Sequence, residues 1–425
     1  GDRTAGILNY GLLYSFDDRW KFRSLEIPVE IGVSWPRHAV FSTWNYTKNA
    51  DQGSLVRLLS NLTRDEPRDS LTRLVVGDYT VPASPVAGGS GTFGGVSFSK
   101  FFSFRPYLNT YPSLRISGES PVPAEIDVLL DNTSILRDRK IPPGEFRIEN
   151  IQGNTGKGML SWLLKDAQGG VRTVRSPYYI SSNSLKAGLH DYHYSLGFRR
   201  EALGQKSFDY SDLTAVLFHK YGFSDSFTGA VGAEGTRDVI AGGAGAIVTR
   251  PWAGELEGIV GGSYGDGWFG YRFGARYSYA SQTGYIGASF LHASDKYANV
   301  SLSAGEDKPK WDASVSGGIN PSGYGSLSAG YTSTVNHSGS RSSSTSLTYY
   351  RNIFSIADLY LQWVGLKEAN RTDTFLVGIS LNFGDLFIRM DSAFKEGEQR
   401  GTLSAQKSLP VGQGYGYRLD IEYAD

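Results

Sequence analysis

The chain contains no cysteine and only 2 methionines among its 425 residues. Disulfides and thiolate metal sites are thereby excluded. The absence fits an oxidising compartment reached unfolded, although many proteins elsewhere share it. Neither sign of charge is in surplus, since Lys+Arg and Asp+Glu are both 42. The basic excess or stripe that a phosphate backbone demands is missing, so nucleic acid is not an expected partner. No run approaches the ~18 apolar residues of a membrane-spanning helix. No basic-then-apolar leader stands at Gly1, which reads as a mature or trimmed chain.

What the chain has instead is 53 Gly, 26 Tyr, 22 Phe and 8 Trp, with 20% of residues charged. Glycine lets strands pack closely and aromatics form interface girdles, so this mixture suits a large β-barrel. The strand grammar agrees. In the segment beginning at Leu25, residues Leu25, Ile27, Val29, Ile31, Val33 and Trp35 share one face, and Glu26, Glu30, Gly32 and Ser34 share the other. The same alternation opens the chain at Leu8, Tyr10, Leu12 and Tyr14. It returns in Tyr192, Tyr194, Leu196 and Phe198 against His193, Ser195, Gly197 and Arg199. Phe269, Tyr271 and Phe273 oppose Arg272, Gly274 and Arg276, and Leu419, Ile421 and Tyr423 oppose Arg418, Asp420 and Glu422. The polar faces mix both charges with Gly and Ser, whereas a small barrel fills its interior with Val, Ile and Leu. A wide aqueous lumen and a lipid-facing exterior follow, and bare backbone in lipid requires a sheet closed on itself. The expectation is an all-β, large transmembrane antiparallel β-barrel of about 22 strands, six of them before residue 113, the last near Phe93 to Phe104.

Residues 113–183 break this grammar. Short runs such as Glu125–Leu130, Gly144–Ile148 and Leu160–Leu164 are cut by Asp131-Asn132, Pro142-Pro143-Gly144, Gly153-Asn154 and Gly169-Gly170. Short strands between turn clusters mark a small β-sandwich. The domain division is therefore 1–112 as the first part of the barrel, 113–183 as an inserted sandwich, and 184–425 as the remainder. A lumen as wide as the strand count implies leaks unless plugged, and the insert supplies a plug. Its expected hinges are Pro112, Ser113, Ser181 and Gly188. Residues Tyr79 to Gly95 form a Pro/Gly/Ser hairpin tip, either an external loop or a gate folded inward against the plug through Pro82, Pro85, Gly88, Gly89 and Gly91. The Ser/Thr tract Thr332 to Thr348 reads as a mobile loop with flanking strands.

Candidate chemistry is sparse. His190-Asp191-Tyr192-His193 is the one histidine cluster, but His190 and His193 lie on opposite faces and a third metal ligand is lacking. Ser195 shares a face with His193 without an acid to orient the base, and no Gly-x-Ser-x-Gly elbow occurs. Gly242-Gly243-Ala244-Gly245 lacks the spacing of a nucleotide loop and reads as a strand of small residues. No catalytic residue, cofactor or metal is expected. The charges Arg199, Arg272, Arg276, Arg389, Arg418, Asp420 and Glu422 are expected to line the lumen, where Arg272 and Arg276 could hold the plug.

The segment Ile141-Pro142-Pro143-Gly144-Glu145-Phe146-Arg147-Ile148 is similar to the Pro-Pro-Gly-Pro-Phe-x-Ile plug signature of the fimbrial outer-membrane ushers of the chaperone–usher pathway, with Glu145 replacing a proline. Gly77-Asp78, Phe93-Gly94-Gly95-Val96, Gly156-Lys157-Gly158, Ser176-Pro177-Tyr178-Tyr179, Gly188 to Tyr192, Gly197-Phe198-Arg199 and Leu409-Pro410 with Gly412 to Arg418 extend the resemblance over essentially the whole chain. The His190-Asp191-Tyr192 re-entry is similar to the archaic, non-classical branch. The resemblance implies a 24-stranded barrel in the bacterial outer membrane with a plug domain between the sixth and seventh strands. It implies chaperone–pilin subunit complexes as partners, outer-membrane lipids as surroundings, fibre assembly by donor-strand exchange, and no cofactor. A homodimer is among the arrangements it leaves open. The family's N-terminal chaperone-binding domain and two C-terminal domains have no counterpart in this sequence, which matches the pore segment alone. A general porin or transporter with an internal constriction is the alternative.

Overall fold

The computed structural model describes residues 4–16, 21–49, 52–120, 122–131, 133–166, 171–303, 305–354, 356–395, 397–408 and 413–424. The Gly169-Gly170 turn, Asn132 and the motif residues Leu409, Pro410 and Gly412 lie outside them. Seven strand segments come first: β1 (Ala5–Tyr10), β2 (Leu13–Phe16), β3 (Phe22–Trp35), β4 (His38–Asn49), β5 (Gly53–Glu66), β6 (Thr72–Val81) and β7 (Gly91–Lys100). The insert contributes β8 (Leu114–Ser120), β9 (Ala124–Leu130), β10 (Thr133–Ile141), β11 (Gly144–Ile151), β12 (Gly156–Asp166) and β13 (Val171–Ile180). The long meander resumes with β14 (His190–Arg200), β15 (Tyr210–Ser224), β16 (Phe227–Gly235), β17 (Val239–Arg250) and β18 (Gly254–Gly265). It continues through β19 (Trp268–Ser281), β20 (Gly284–Ala293), β21 (Pro309–Ile319), β22 (Ser326–Asn336) and β23 (Arg341–Ile353). The last five are β24 (Ala357–Lys367), β25 (Arg371–Phe383), β26 (Leu386–Lys395), β27 (Glu398–Lys407) and β28 (Tyr417–Ala424).

The segments outside the insert form one antiparallel sheet of 22. Both β1 and β2 pair with β3, Tyr10 opposite Val29 and Leu13 opposite Glu26, so they are one strand interrupted at Gly11-Leu12. The cause sits across the ladder. Pro28 on β3 has no N–H to offer, and its carbonyl instead accepts from Gly11 N at 3.0 Å. Six strand positions therefore precede the insert. Strand β7 then pairs directly with β14, from His193 opposite Ser99 to Arg199 opposite Phe93, so the sheet is continuous across the insertion. The described ladder ends at β28 on one side and at β1 and β2 on the other.

One face of this sheet is apolar and bare. Ile31, Val33, Leu196, Phe198, Phe269, Phe273, Ile379 and Ile421 are all exposed along it. Contiguous exposed apolar surface on this scale calls for an apolar surrounding. Among the described residues no helix is long and apolar enough to cross a membrane. The opposite, inner face carries the insert and the β6–β7 hairpin.

The insert is two sheets, β10-β9-β12-β13 and β11-β8, packed over a core of its own. Ile116, Ile126 and Val128 are fully buried there. Each such side chain contributes about 1.5–3 kcal/mol. Pro142-Pro143-Gly144 is the corner at which the chain leaves one sheet for the other. Gly144 holds φ +110°, Pro142 and Pro143 face solvent, and Phe146 and Ile148 drop into the core.

Two sequence expectations shift. Strand β7 stops at Lys100 rather than Phe104, because Phe101 and Phe104 turn back to pack under the Arg73 guanidinium. The hairpin tip is 82–90, shorter than Tyr79 to Gly95. The Ser/Thr tract is, as its pattern suggests, a short connection at 337–340 with flanking strands β22 and β23.

Candidate functional site

Gly232, Gly243 and Gly261 stand opposite one another on β16, β17 and β18, and Gly261 faces Arg272 on β19. This row cuts a smooth trough across the inner face. A Cβ at Gly243 would lie 2.5 Å from Val260 O and 3.2 Å from Val86 O, and one at Gly261 would lie 3.2 Å from Val86 O. The hairpin tip lies in the trough, with Val86 and Ala87 essentially inaccessible. The glycine cluster dismissed as a nucleotide loop is thus the bed of the hairpin.

Polar contacts fasten the tip. Arg272 Nη2 donates to Pro85 O at 2.7 Å and Nη1 to Ala87 O at 3.3 Å. Glu234, 3% exposed, accepts Gly89 N–H at 3.0 Å and Val300 N–H at 3.2 Å. Residues 294–303, in the connection between β20 and β21, cap the tip from the other side. Tyr297 OH donates to Ala87 O at 2.7 Å, and Ser90 N–H to Ser301 Oγ at 3.1 Å. Burial above all raises the Tyr297 hydroxyl pKa from its ordinary value, so it remains a donor. Gly88, at φ +91°, passes so close to Arg272 that a side chain would strike the guanidinium, and one at Gly89 would strike Glu234. Pro82 is exposed at the root and Gly91 begins β7. The hairpin is therefore folded inward against the sheet and its cap. Arg272 holds the hairpin, and Arg276 pairs with Glu257 at 3.5 Å.

A second cluster fixes the 201–209 loop over the same face. Asp78, 1% exposed, takes Arg57 Nη1 at 2.5 Å, Tyr210 OH at 2.5 Å and Ser60 N–H at 2.8 Å, with Arg200 Nη1 3.8 Å away. Arg57 and Arg200 also donate to Ser207 O. A register shift between Phe198 and Arg200 turns Arg200 to the side of Arg199, which alternation alone did not reveal. Arg199 itself donates to Val300 O at 2.7 Å in the cap.

The insert meets the inner face along one seam. Tyr179 OH donates to Ser278 O at 3.1 Å and its ring stacks on Tyr279 at 6.0 Å. Asn183 Nδ2 donates to Glu255 Oε1 at 2.9 Å, while Lys220 Nζ donates to Asn183 O. Of the expected hinges, Pro112 is buried and Ser113 partly so; Ser181 Oγ accepts Asn183 N–H at 3.0 Å. Gly188 holds φ +81° and donates to Gly222 O at 2.8 Å. The two links touch where Lys186 N–H donates to Thr110 O at 2.8 Å.

The remaining candidates scatter. Ser195 Oγ donates to Val216 O at 3.2 Å, not to His193, whose Nε2 shares a 3.3 Å hydrogen bond with Ser97 Oγ. His190 pairs with His219 at 2.9 Å on the other face. No group of three or more metal-ligating side chains occurs among the described residues. Two of the inner-face arginines pair within their own strand, Arg389 with Asp391 at 2.6 Å and Arg418 with Asp420 at 2.7 Å, whereas Arg371 and Asp373, 3.0 Å apart, are in phase with the exposed Phe375 on the apolar face. Glu422 pairs across to Arg400 at 3.0 Å.

No family model and no curated protein matches the chain. Solved structures do. A chain of the E. coli P pilus tip assembly intermediate PapC-PapD-PapK-PapG superposes with TM-score 0.75 at 16% identity, over 99% of this chain and 55% of that one. The structure of the P pilus usher (PapC) translocation pore matches at TM-score 0.53 and 16% identity, over 99% of this chain and 90% of that one. A second PapC translocation pore gives TM-score 0.53 at 12% identity, over 99% and 95%. The chain has the fold of an usher translocation pore. In that usher-pore fold the trough, the hairpin, the cap and the insert share the inner face of one continuous sheet.

Proposed function

We propose that the chain is the translocation pore of a fimbrial usher in the bacterial outer membrane. Its sheet closes into a barrel, residues 113–183 form a plug domain between residues 1–112 and 184–425, and chaperone–pilin subunit complexes are the cargo. Fibre growth by donor-strand exchange is strand addition and needs no bond chemistry. The observation that carries the proposal is a separately cored insert, leaving and re-entering one continuous sheet of usher-pore fold, seated on the inner face.

Gating is a shift between two populations. The seam contacts of Tyr179 and Asn183 exist only in the closed state, so engaged cargo has to bind the open state better by their combined worth. Moving the ratio from 1:99 to 99:1 takes about 5.5 kcal/mol of differential binding. Gly188, already in the left-handed region, and the Pro112-Ser113 link are the pivots. The test is single-channel conductance in planar bilayers. The intact chain should stay mostly closed, and deletion of 113–183 should open a wide channel. Comparable conductance with and without the insert would fit the alternative, a porin with a fixed constriction, and sink the gating.

A further inference from the structure

The insert's sandwich is open on one side. Strands β10 and β11 leave the Pro142-Pro143-Gly144 corner in different sheets and diverge, and each lies at the edge of its own sheet. Between them is a cleft of about 330 Å³. Its floor is Val128, Leu136, Ile148 and Ile151, and Ile135 overhangs it at 45% exposure. Two register shifts in β10, around Ser134–Leu136 and Leu136–Arg139, place the consecutive apolar pair Ile135-Leu136 along this opening.

The rim is basic. Arg139 lines the cleft, Arg137 and Lys140 stand exposed on the same strand, and Lys186 reaches the opposite lip to donate to Asn150 Oδ1 at 2.9 Å. Among the described side chains, which do not include those of Glu119 and Asp138, no carboxylate stands within ion-pair distance of Arg139 or Lys140. An apolar floor asks for alternate apolar side chains, a free strand edge for an extended backbone, and a cationic rim for carboxylates.

We propose that this cleft binds an extended, acidic peptide segment of a protein partner, added beside β10 with alternate apolar side chains on the Val128–Ile151 floor and a carboxylate on Arg139. Its occupant competes with Asn150 for Lys186, which stands in the link that returns the chain to β14. Cleft occupancy and the seating of the insert are thereby coupled, independently of what the pore transports.

The absence of cysteine makes the test direct. Gln152→Cys, exposed at the lip, carries one environment-sensitive fluorophore on the full chain in detergent. The probes are a nine-residue peptide alternating valine and threonine with two aspartates, and its twin with lysines. The acidic peptide should give a saturable signal and bind about tenfold more tightly than the twin, the scale of one charged hydrogen bond. Arg139→Glu should reverse that order, and Ile135→Asp should abolish the response. Both side chains are exposed, so neither change should lower the unfolding midpoint, and the Arg139 swap stands even if Ile135→Asp fails to fold. Equal binding of the two peptides, an unchanged order in Arg139→Glu, or no saturable signal overturns the proposal.

Discussion

Arg272→Ala isolates what holds the hairpin in its trough. The change removes the donors to Pro85 O and Ala87 O and the cation 5.6 Å from the Tyr297 ring. Ala87 O keeps its bond from Tyr297, and exposed Pro85 can turn its carbonyl to water, so the loss is less than two full charged hydrogen bonds. About 2–3 kcal/mol is a fair figure for hairpin closure. At 1.4 kcal/mol per decade, the released fraction should rise about 30- to 150-fold. The assay uses Ala87→Cys, 1% exposed, as a lone thiol whose modification by a charged reagent requires release. The rate should rise by that factor in Arg272→Ala and not in Arg276→Ala, whose partner is Glu257. A rate within twofold of the parent would refute the assignment of Arg272 as the fastener.

Asp78→Asn leaves Arg57 and Arg200 buried without their carboxylate, a loss of about 3–5 kcal/mol; the urea midpoint should fall accordingly, and a change under 1 kcal/mol would show the cluster to be ornamental. In the insert, burial first and then Asp131 raise the Tyr178 hydroxyl well above its ordinary 10.0. A raised acid contributes stability that is complete below pH 10 and lost as pH climbs beyond it. The gap in unfolding midpoint between the parent and Tyr178→Phe should therefore be constant from pH 7 to 9 and close above pH 10, and a gap that stays open at higher pH would contradict this.

Strands were the legible part of this fold. Alternation along Leu25 to Trp35 and Phe269 to Tyr279 reports a sheet with two unlike faces, and period 2 survives any error in strand ends. The corner at Pro142-Pro143-Gly144 was legible because proline and a left-handed glycine leave the chain few choices. The cluster around Asp78 was not. Arg57 and Arg200 stand 143 residues apart in the chain, and a register shift that alternation cannot see turns Arg200 inward. The partners of Arg272 were misassigned for a related reason, since pattern places it on the inner face without saying which inner-face neighbour it meets. The glycine row is the same kind of gap: each Gly looks like slack in its own strand and becomes a trough only in register with two others.

The short-range pairing of the inner-face charges has a further consequence. Where Arg389 and Arg418 each meet an acid two residues along the same strand, every pair is a small dipole that cancels within its own width. A surface of such dipoles has almost no field a few ångströms away in salt water. It stays wet without attracting either sign, so a folded body moving along it meets neither an electrostatic trap nor a barrier. The zero net charge of the chain is, along this part of the surface, a local property before it is a global one.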